Sequence, residues 1–318
     1  MAWTTQQIPD LSGQVAIVTG GNGGLGLDTV HALVDHRAHV IIGARNLEKA
    51  AAAEQSIRAN APDASLTVLE LDLASVSSIR AFATQVLEDH ATIDLLFNNA
   101  GMMATPEWTT EEGFEMQFGV NHLGHFELTR LLLPALERAP AARVVMTSSS
   151  ARFGAGKYDL DNPHHRGDYD PWEAYGYSKL ANLQFAIELN RRLEAEGSKT
   201  TAYAADPGLA QSGLQQTTAK NLPGAMQSFW VTMVNLVGQS SAAGALNQLR
   251  AGTDPEAVGG SLYRPRWMLR GAPVVGGIGK SLRKEEDLAR LWKVSEQELD
   301  VNFDVAEIVR AVRAEAGA

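Results

Sequence analysis

The sequence predicts an α/β fold, a doubly wound parallel sheet with helices on both faces. Three observations predict it. Short runs are apolar almost without interruption, as strands buried on both faces must be. These runs alternate with longer segments of helical periodicity. A glycine-rich turn joins the first run to the first helical segment. Val15-Ala-Ile-Val-Thr19 is the first expected strand, and Leu27, Val30, Leu33 and Val34 keep helical spacing after it. His39 to Ala44 is the second strand, followed by an Ala-, Glu- and Lys-rich helix from about Leu47 to Ala59. Further strands are expected at Leu66 to Leu71, Ile93 to Phe97, Arg143 to Thr147 and Thr200 to Ala205. Helices are expected between them, over Val76 to Asp89, Phe114 to Arg138 and Tyr175 to Glu196.

With no repeat and no linker, residues 1–318 read as a single domain. Residues 11–200 would mainly serve binding and catalysis, and 205–275 would form a C-terminal substrate-binding extension. Composition excludes several classes. The absence of cysteine removes disulfides, thiolate zinc sites and cysteine nucleophiles. A net charge of -10 speaks against nucleic acid, whose phosphates need clustered Lys and Arg. The N-terminus shows no basic patch before an apolar core, so the expected location is cytoplasmic. Residues Asn221 to Leu249 carry no Asp, Glu, Lys or Arg. Pro223, Gly224, Gln227, Asn235 and Gly238 interrupt its apolar run, so a membrane span is not expected. A helix lining an apolar pocket is the preferred reading, with a buried or subunit-facing helix as the alternative.

Thr19-Gly-Gly-Asn-Gly-Gly-Leu-Gly26 supplies the chemistry's first clue. Gly20, Gly24 and Gly26 allow a sharp turn, close backbone approach to a pyrophosphate, and tight packing of helix on strand. The helix N-terminus adds free amides and partial positive charge. Asn22, Gly23 and Leu25 complete this expected dinucleotide-binding turn; an ordinary turn is the bland alternative. After the second strand, where an acidic residue commonly takes the ribose hydroxyls of NAD, the chain reads Gly43-Ala-Arg45. A guanidinium suits a 2′-phosphate, so NADP(H) is favoured over NAD(H). A merely solvated arginine is the competing reading.

Tyr175 and Lys179 are four residues apart and so share one helical face. A free phenol titrates near about 10, and a neighbouring ammonium stabilises its ionised form. The pair suits proton transfer to or from a carbonyl oxygen as hydride moves. Tyr177 lacks such a partner, because position 181 is Ala.

Together Thr19-Gly-x-x-x-Gly-x-Gly26, Asn98-Asn-Ala-Gly101, Asn121, Ser149 and Tyr175-x-x-x-Lys179 resemble, in order, the short-chain dehydrogenase/reductase family. The resemblance covers about residues 11 to 300. Gly43-Ala-Arg-Asn46, Val120-Asn-His-Leu-Gly-His-Phe126 and Ser178-Lys-Leu-Ala-Asn182 look like its retinol dehydrogenase and WW-domain oxidoreductase branch. The resemblance implies a Rossmann-type fold and a set of roles. Ser149 would bond the substrate oxygen, though it sits within Ser148-Ser-Ser150. Asn121 would position a water that relays protons to Lys179, which would also hold the nicotinamide ribose. Asp72 would bond the adenine amino group beside Leu73, unless it only caps a helix. Asn99, Ala100 and Gly101 would flank the adenine ribose. Pro207 and Gly208 would close over the nicotinamide, with Ser212 near the same place. A homo-oligomer is expected only from the family's habit.

Departures stand beside these matches. Ser149 and Tyr175 are widely separated by an insertion holding Asp159, Asp161, His164, His165, Asp168 and Asp170. Hydrated loop residues are preferred there over a metal site, and Tyr169 to Trp172 is expected to border the pocket. His122 and His125 read as structural, without a third ligand. Tyr263-Arg-Pro-Arg-Trp267 departs from the branch and supports no substrate assignment. The leading reading is an NADP(H)-dependent enzyme interconverting carbonyl and alcohol on a fairly apolar small molecule. The alternative from another class is a catalytically silent nicotinamide-binding protein that senses redox state or holds a partner.

Overall fold

The computed structural model describes residues 2–156, 158–167, 169–211 and 238–317. Its eight-stranded sheet has the order β3-β2-β1-β4-β5-β6-β7-β8. The strands are β1 (Val15–Thr19), β2 (His39–Ala44), β3 (Leu66–Glu70), β4 (Leu95–Asn98), β5 (Arg143–Thr147), β6 (Thr201–Ala205), β7 (Leu262–Pro265) and β8 (Pro273–Gly276). All neighbours pair in parallel except β7 with β8. The strand order reverses beside β1, between β1 and β4, which opens a crevice at the carboxyl ends of these strands.

Side-chain alternation divides the core between the two sheet faces. Ile17 and Ile41 point into a cluster with Ile79, Leu132, Leu183 and Trp292. That layer is built by α3 (Val76–Asp89), α4 (Gly124–Arg138), α5 (Pro171–Ala195), α7 (Glu285–Leu299) and α8 (Val305–Gly317). Ala16, Val18, Val40 and Ile42 face the opposite cluster with Val30, Leu33, Ala245 and Leu249. Here α1 (Gly24–Asp35), α2 (Leu47–Asn60) and α6 (Ser241–Thr253) cover the sheet.

Several boundaries differ from the sequence expectations. The expected Ile93 strand begins at Leu95, because the Ile93 amide donates to the Ala135 carbonyl at the end of α4. The expected Phe114–Arg138 helix is broken: Met116–Phe118 is one turn, Gly119–Leu123 is a π turn, and α4 follows. Glu115 fixes that start by accepting the amides of Gln117 and Phe118. α5 begins four residues before Tyr175, where Asp170 accepts the Trp172 and Glu173 amides and Pro171 takes the first helical position. Of the charge-free stretch, 221–237 lies outside the described residues. Its described end forms much of α6, packed on α1: a Cβ at Gly244 would come within 2.7 Å of Leu25 Cδ2. That part is a core helix. Among the described residues no helix is long and apolar enough to cross a membrane.

Candidate active site

The turn after β1 is held by Thr19. Its hydroxyl accepts the amides of Asn99 and Ala100, both at 2.9 Å, while Asn99 Nδ2 donates to the Thr19 carbonyl at 2.8 Å. These bonds tie the first glycine turn to the Asn98-Asn-Ala-Gly101 segment after β4. Gly20 has φ 67°, a left-handed conformation that favours glycine. A Cβ on Gly26 would lie 2.3 Å from the Gly20 carbonyl oxygen and 2.6 Å from Asn99 Nδ2. The close packing expected of that third glycine is present.

Two clefts meet at this turn. One, of about 320 Å³, reaches Arg45, Asn46, Lys49, Asp72 and Leu73. The other, of about 300 Å³, reaches Gly24, Leu25, Gly26, Asn99, Tyr175, Lys179 and Pro207. Both are lined by Gly20, Asn22, Gly23, Ala100 and Gly101, so they form one continuous groove. No atom lies within 4 Å of a Cβ built on Gly23, so the wall is open where a side chain would obstruct. Such a cradle, with α1 opening onto it and arginine at one end, fits a dinucleotide.

At the far end Asp72 does not cap α3; Ser75 does. Asp72 Oδ1 accepts the Ala74 amide, and Oδ2 lies 4.0 Å from Arg45 Nη1. The Arg45 side chain is 64% exposed, so this ion pair is weak and the guanidinium stays available. Lys49, which lines the same end, was not singled out from the sequence, and Asn46 entered only as the last residue of the Gly43-Ala-Arg-Asn46 resemblance, with no role assigned to either. Being exposed and near a helix start, they carry no distinctive pattern.

At the near end, Lys179 is buried and its Nζ donates to the Thr147 carbonyl at 3.1 Å, lying 5.8 Å from the Tyr175 ring centre. Ser149 is the serine whose hydroxyl acts on the Tyr175 phenol, drawing its pKa down. Ser148, which lines the groove, donates its hydroxyl to the Lys179 carbonyl instead. Burial raises the Tyr175 phenol well above its ordinary value, and the Ser149 bond opposes this only partly. The expected ammonium-driven lowering is not seen: desolvation sets the direction, and the Asp206 charge adds to it. Burial also lowers Lys179, to about 8, with the Asp206 charge working the other way.

Asn121 occupies the π turn. Its side chain is engaged: Oδ1 accepts the Met102 amide, and Nδ2 donates to the Met102 carbonyl and Ser178 Oγ. Its backbone carbonyl accepts from His125 Nδ1 at 2.9 Å. Gly101 lies beside both groups, a Cβ there falling 3.0 Å from Asn121 Oδ1 and 3.2 Å from Lys179 Nζ. On the opposite wall, Pro207 and Gly208 follow β6, with Gln239 Nε2 donating to the Pro207 carbonyl. Ser212 lies outside the described residues, as does Asp168.

The insertion is more ordered than a hydrated loop. His164 is buried, accepts the Glu115 amide at Nδ1 and meets Glu298 at 2.9 Å. The expectation of hydration fails for it because the segment folds onto the π turn and α7. The Asp159 backbone carbonyl accepts from the Tyr177 hydroxyl, and the Asp161 carboxylate pairs with Arg290. No cluster able to hold a metal occurs among the described residues. Trp172 packs with Met103, Ala104 and Tyr175, so the end of the insertion does border the reactive phenol.

His125 Nε2 meets the Thr19 hydroxyl at 2.9 Å, and His122 Nε2 meets Ser295 Oγ at 2.8 Å. Burial lowers His122 to about 3 and His125 to about 4, so both are neutral and structural at pH 7. The unfolded chain would bind protons at these sites below about 6.5 while the native one would not. Stability is thus expected to fall as pH drops from about 6.5 toward 4, by about 1.4 kcal/mol per pH unit for each histidine. His39 and His165, lowered by burial too, act in the same direction. Urea midpoints at pH 7 and pH 5 check this; equal midpoints would contradict it.

Gly176 is a site residue that sequence reasoning missed. A Cβ there would lie 2.6 Å from the Ala151 carbonyl oxygen, in the short 3-10 turn Ser150–Gly154 that follows Ser149. Gly176→Ala is expected to push this turn off α5 and move Ser149 away from Tyr175, lowering kcat by roughly tenfold or more with cofactor affinity retained. Only the local Tyr-Gly-Tyr pattern hinted at it, since the neighbour it spares comes from another element.

The family model for short chain dehydrogenase matches residues 14–223. Human retinol dehydrogenase 13 is 44% identical over 209 residues, 65% of this chain and 62% of that protein, less than two thirds of its length. A short-chain dehydrogenase/reductase of Armillaria gallica is 39% identical over 263 residues, covering 80% of this chain and 81% of the relative. The solved structure of an uncharacterized protein from Mycobacterium paratuberculosis aligns with a TM-score of 0.78 at 36% identity, covering 95% of this chain and 99% of that one.

Proposed function

Because the chain belongs to the short-chain dehydrogenase family, we propose that it is an NADP(H)-dependent oxidoreductase interconverting a carbonyl and an alcohol. The observation that carries this reading is that Tyr175 and Lys179 line one end of the glycine-rich groove, with Ser149 acting on the Tyr175 phenol. A bound nicotinamide would supply or accept the hydride. Tyr175, kept protonated by burial, donates its proton to the carbonyl oxygen in reduction, and Ser149 bonds the same oxygen. Lys179 holds positive charge beside the phenol and bonds the nicotinamide ribose. Asn121 positions the proton-relaying water that the resemblance implies, and its side chain orders the Met102 segment of the groove. Gly20, Asn22 to Gly26, Asp72, Leu73, Asn99 to Gly101, Pro207 and Gly208 bind the dinucleotide, with Ser212 assigned by resemblance.

The name of the retinol dehydrogenase relative and the apolar face of Met103 and Trp172 beside Tyr175 support a fairly apolar small-molecule substrate. The single-domain organisation and a cytoplasmic location form part of the same proposal. Turnover is tested by NADPH oxidation with a panel of aldehydes, ketones and quinones; tight cofactor binding without turnover on any would favour a silent binder. For cofactor choice, Arg45 and Lys49 offer two cations to a 2′-phosphate at the cost of one weak ion pair. Arg45→Ala is expected to weaken NADPH about tenfold or more and leave NADH nearly unchanged, since a charge-assisted contact to phosphate contributes about 1.5–3 kcal/mol. Equal native affinities for the two cofactors would reject the preference.

A further inference from the structure

We propose that Arg152 and Asp206 are a buried positioning pair that fixes the two loops flanking the Ser149–Tyr175–Lys179 site and sets its electrostatic balance. The inference deepens the oxidoreductase reading and rests on it. Arg152 follows Ser149 in the 3-10 turn after β5, and Asp206 follows β6. Their side chains are 4% and 2% exposed and meet at 2.8 Å. Taking two ions this far from water costs several kcal/mol each, so a pair placed only for stability is a poor substitute for apolar packing.

The bonds show what the pair accomplishes. Arg152 Nη1 donates both to Asp206 Oδ2 and to the Ser149 carbonyl at 2.7 Å. Asp206 Oδ1 accepts the Gly208 amide at 2.9 Å. One ion pair thus clasps the serine on one wall and the Pro207-Gly208 turn on the other. The Arg152 guanidinium is covered by the Phe153 ring at 4.5 Å, which keeps solvent from it. Gly176 lets the same turn press against α5 beside Tyr175.

The charges act at longer range too. Among the described residues, the ionisable groups acting on the site are Asp206 from the loop after β6, His125 from α4, and Tyr175 and Lys179 from α5, with Arg152 from the turn after β5 paired to Asp206. Asp206 favours the protonated forms of both Lys179 and Tyr175. Arg152, paired with Asp206 at 2.8 Å, is the counter-charge to that carboxylate. Neutralising Asp206 therefore removes support from the Lys179 ammonium, and removing Arg152 strengthens it.

Asp206→Asn, Arg152→Met and Arg152→Lys test this in the full-length protein with NADPH. The readouts are kcat and KM against pH, NADPH affinity, and the Lys179 titration followed by the 13Cε signal of labelled lysine, assigned with Lys179→Arg. Asp206→Asn is expected to lower kcat about tenfold or more and to move the Lys179 midpoint to lower pH by about half a unit, with NADPH affinity within about threefold. Arg152→Met should move the midpoint the opposite way, and Arg152→Lys should keep the native midpoint while losing about threefold in kcat. Unchanged kcat and midpoints, with only thermal stability reduced, would overturn the proposal. If Asp206→Asn and Arg152→Met do not fold, Arg152→Lys decides: its weaker clasp on Ser149 should lower kcat with KM nearly unchanged, and an unaltered kcat would reject the role. A native protein without turnover on any carbonyl would count against the oxidoreductase reading, while the lysine titration would still decide for or against the pair.

Discussion

Tyr175→Phe is expected to lower kcat by about 10²- to 10⁴-fold, the usual contribution of a positioned general acid. The change removes one oxygen and leaves the ring against Met103, Ala104 and Trp172, so the fold and the groove persist. NADPH affinity should stay within about threefold, because cofactor contacts are spread along the whole groove. Fluorescence titration and steady-state rates separate the two quantities. A variant that binds NADPH normally and keeps more than about a tenth of native kcat would show that another group moves the proton. The native pH profile carries a companion result. Lys179 is an ammonium below about 8 and loses its charge above it. The reductive rate is therefore expected to fall as pH rises through about 8, while the phenol itself stays protonated over that interval because burial raises it.

The second large effect is expected from Gly26→Ala. The added methyl group would meet the Gly20 carbonyl oxygen at 2.3 Å and Asn99 Nδ2 at 2.6 Å, and both are held in place through Thr19. Neither can retreat without opening the turn that joins β1 to the Asn98–Gly101 segment. A loss of about 1–3 kcal/mol in stability follows from overpacking. NADPH affinity should fall about tenfold or more, since the amides at the start of α1 lose their alignment. Gly23→Ala is the informative contrast. Its methyl group meets no protein atom and projects where the two clefts join. Stability should remain within about 0.5 kcal/mol of native, while affinity drops. Equal stability for the two variants would mean that the turn tolerates a side chain at position 26.

Local pattern carried far in the sheet and the groove. β1, β2 and β5 have the expected ends, because a strand buried on both faces is written as an unbroken apolar run. The glycine turn and the Tyr175–Lys179 spacing were equally legible, since each is set by neighbours within one turn of chain. Legibility failed where the deciding partner came from another element. Ile93 leaves β4 for a carbonyl of α4, and the helix around Asn121 winds into a π turn under the hold of Glu115. His164, read as hydrated, is buried by contacts 49 and 134 residues away along the chain.

The same division runs through Tyr175 and Lys179. Sequence alone determined that they share a helical face behind a dinucleotide-type turn, because helical spacing and glycine permissiveness are short-range properties of the backbone. Only the tertiary structure decided which serine acts on the phenol, that desolvation raises that phenol and lowers the lysine, and that Arg152 and Asp206 clasp the walls around them. Burial and charge pairing depend on what distant segments bring within a few ångströms, and residue spacing along the chain does not encode that.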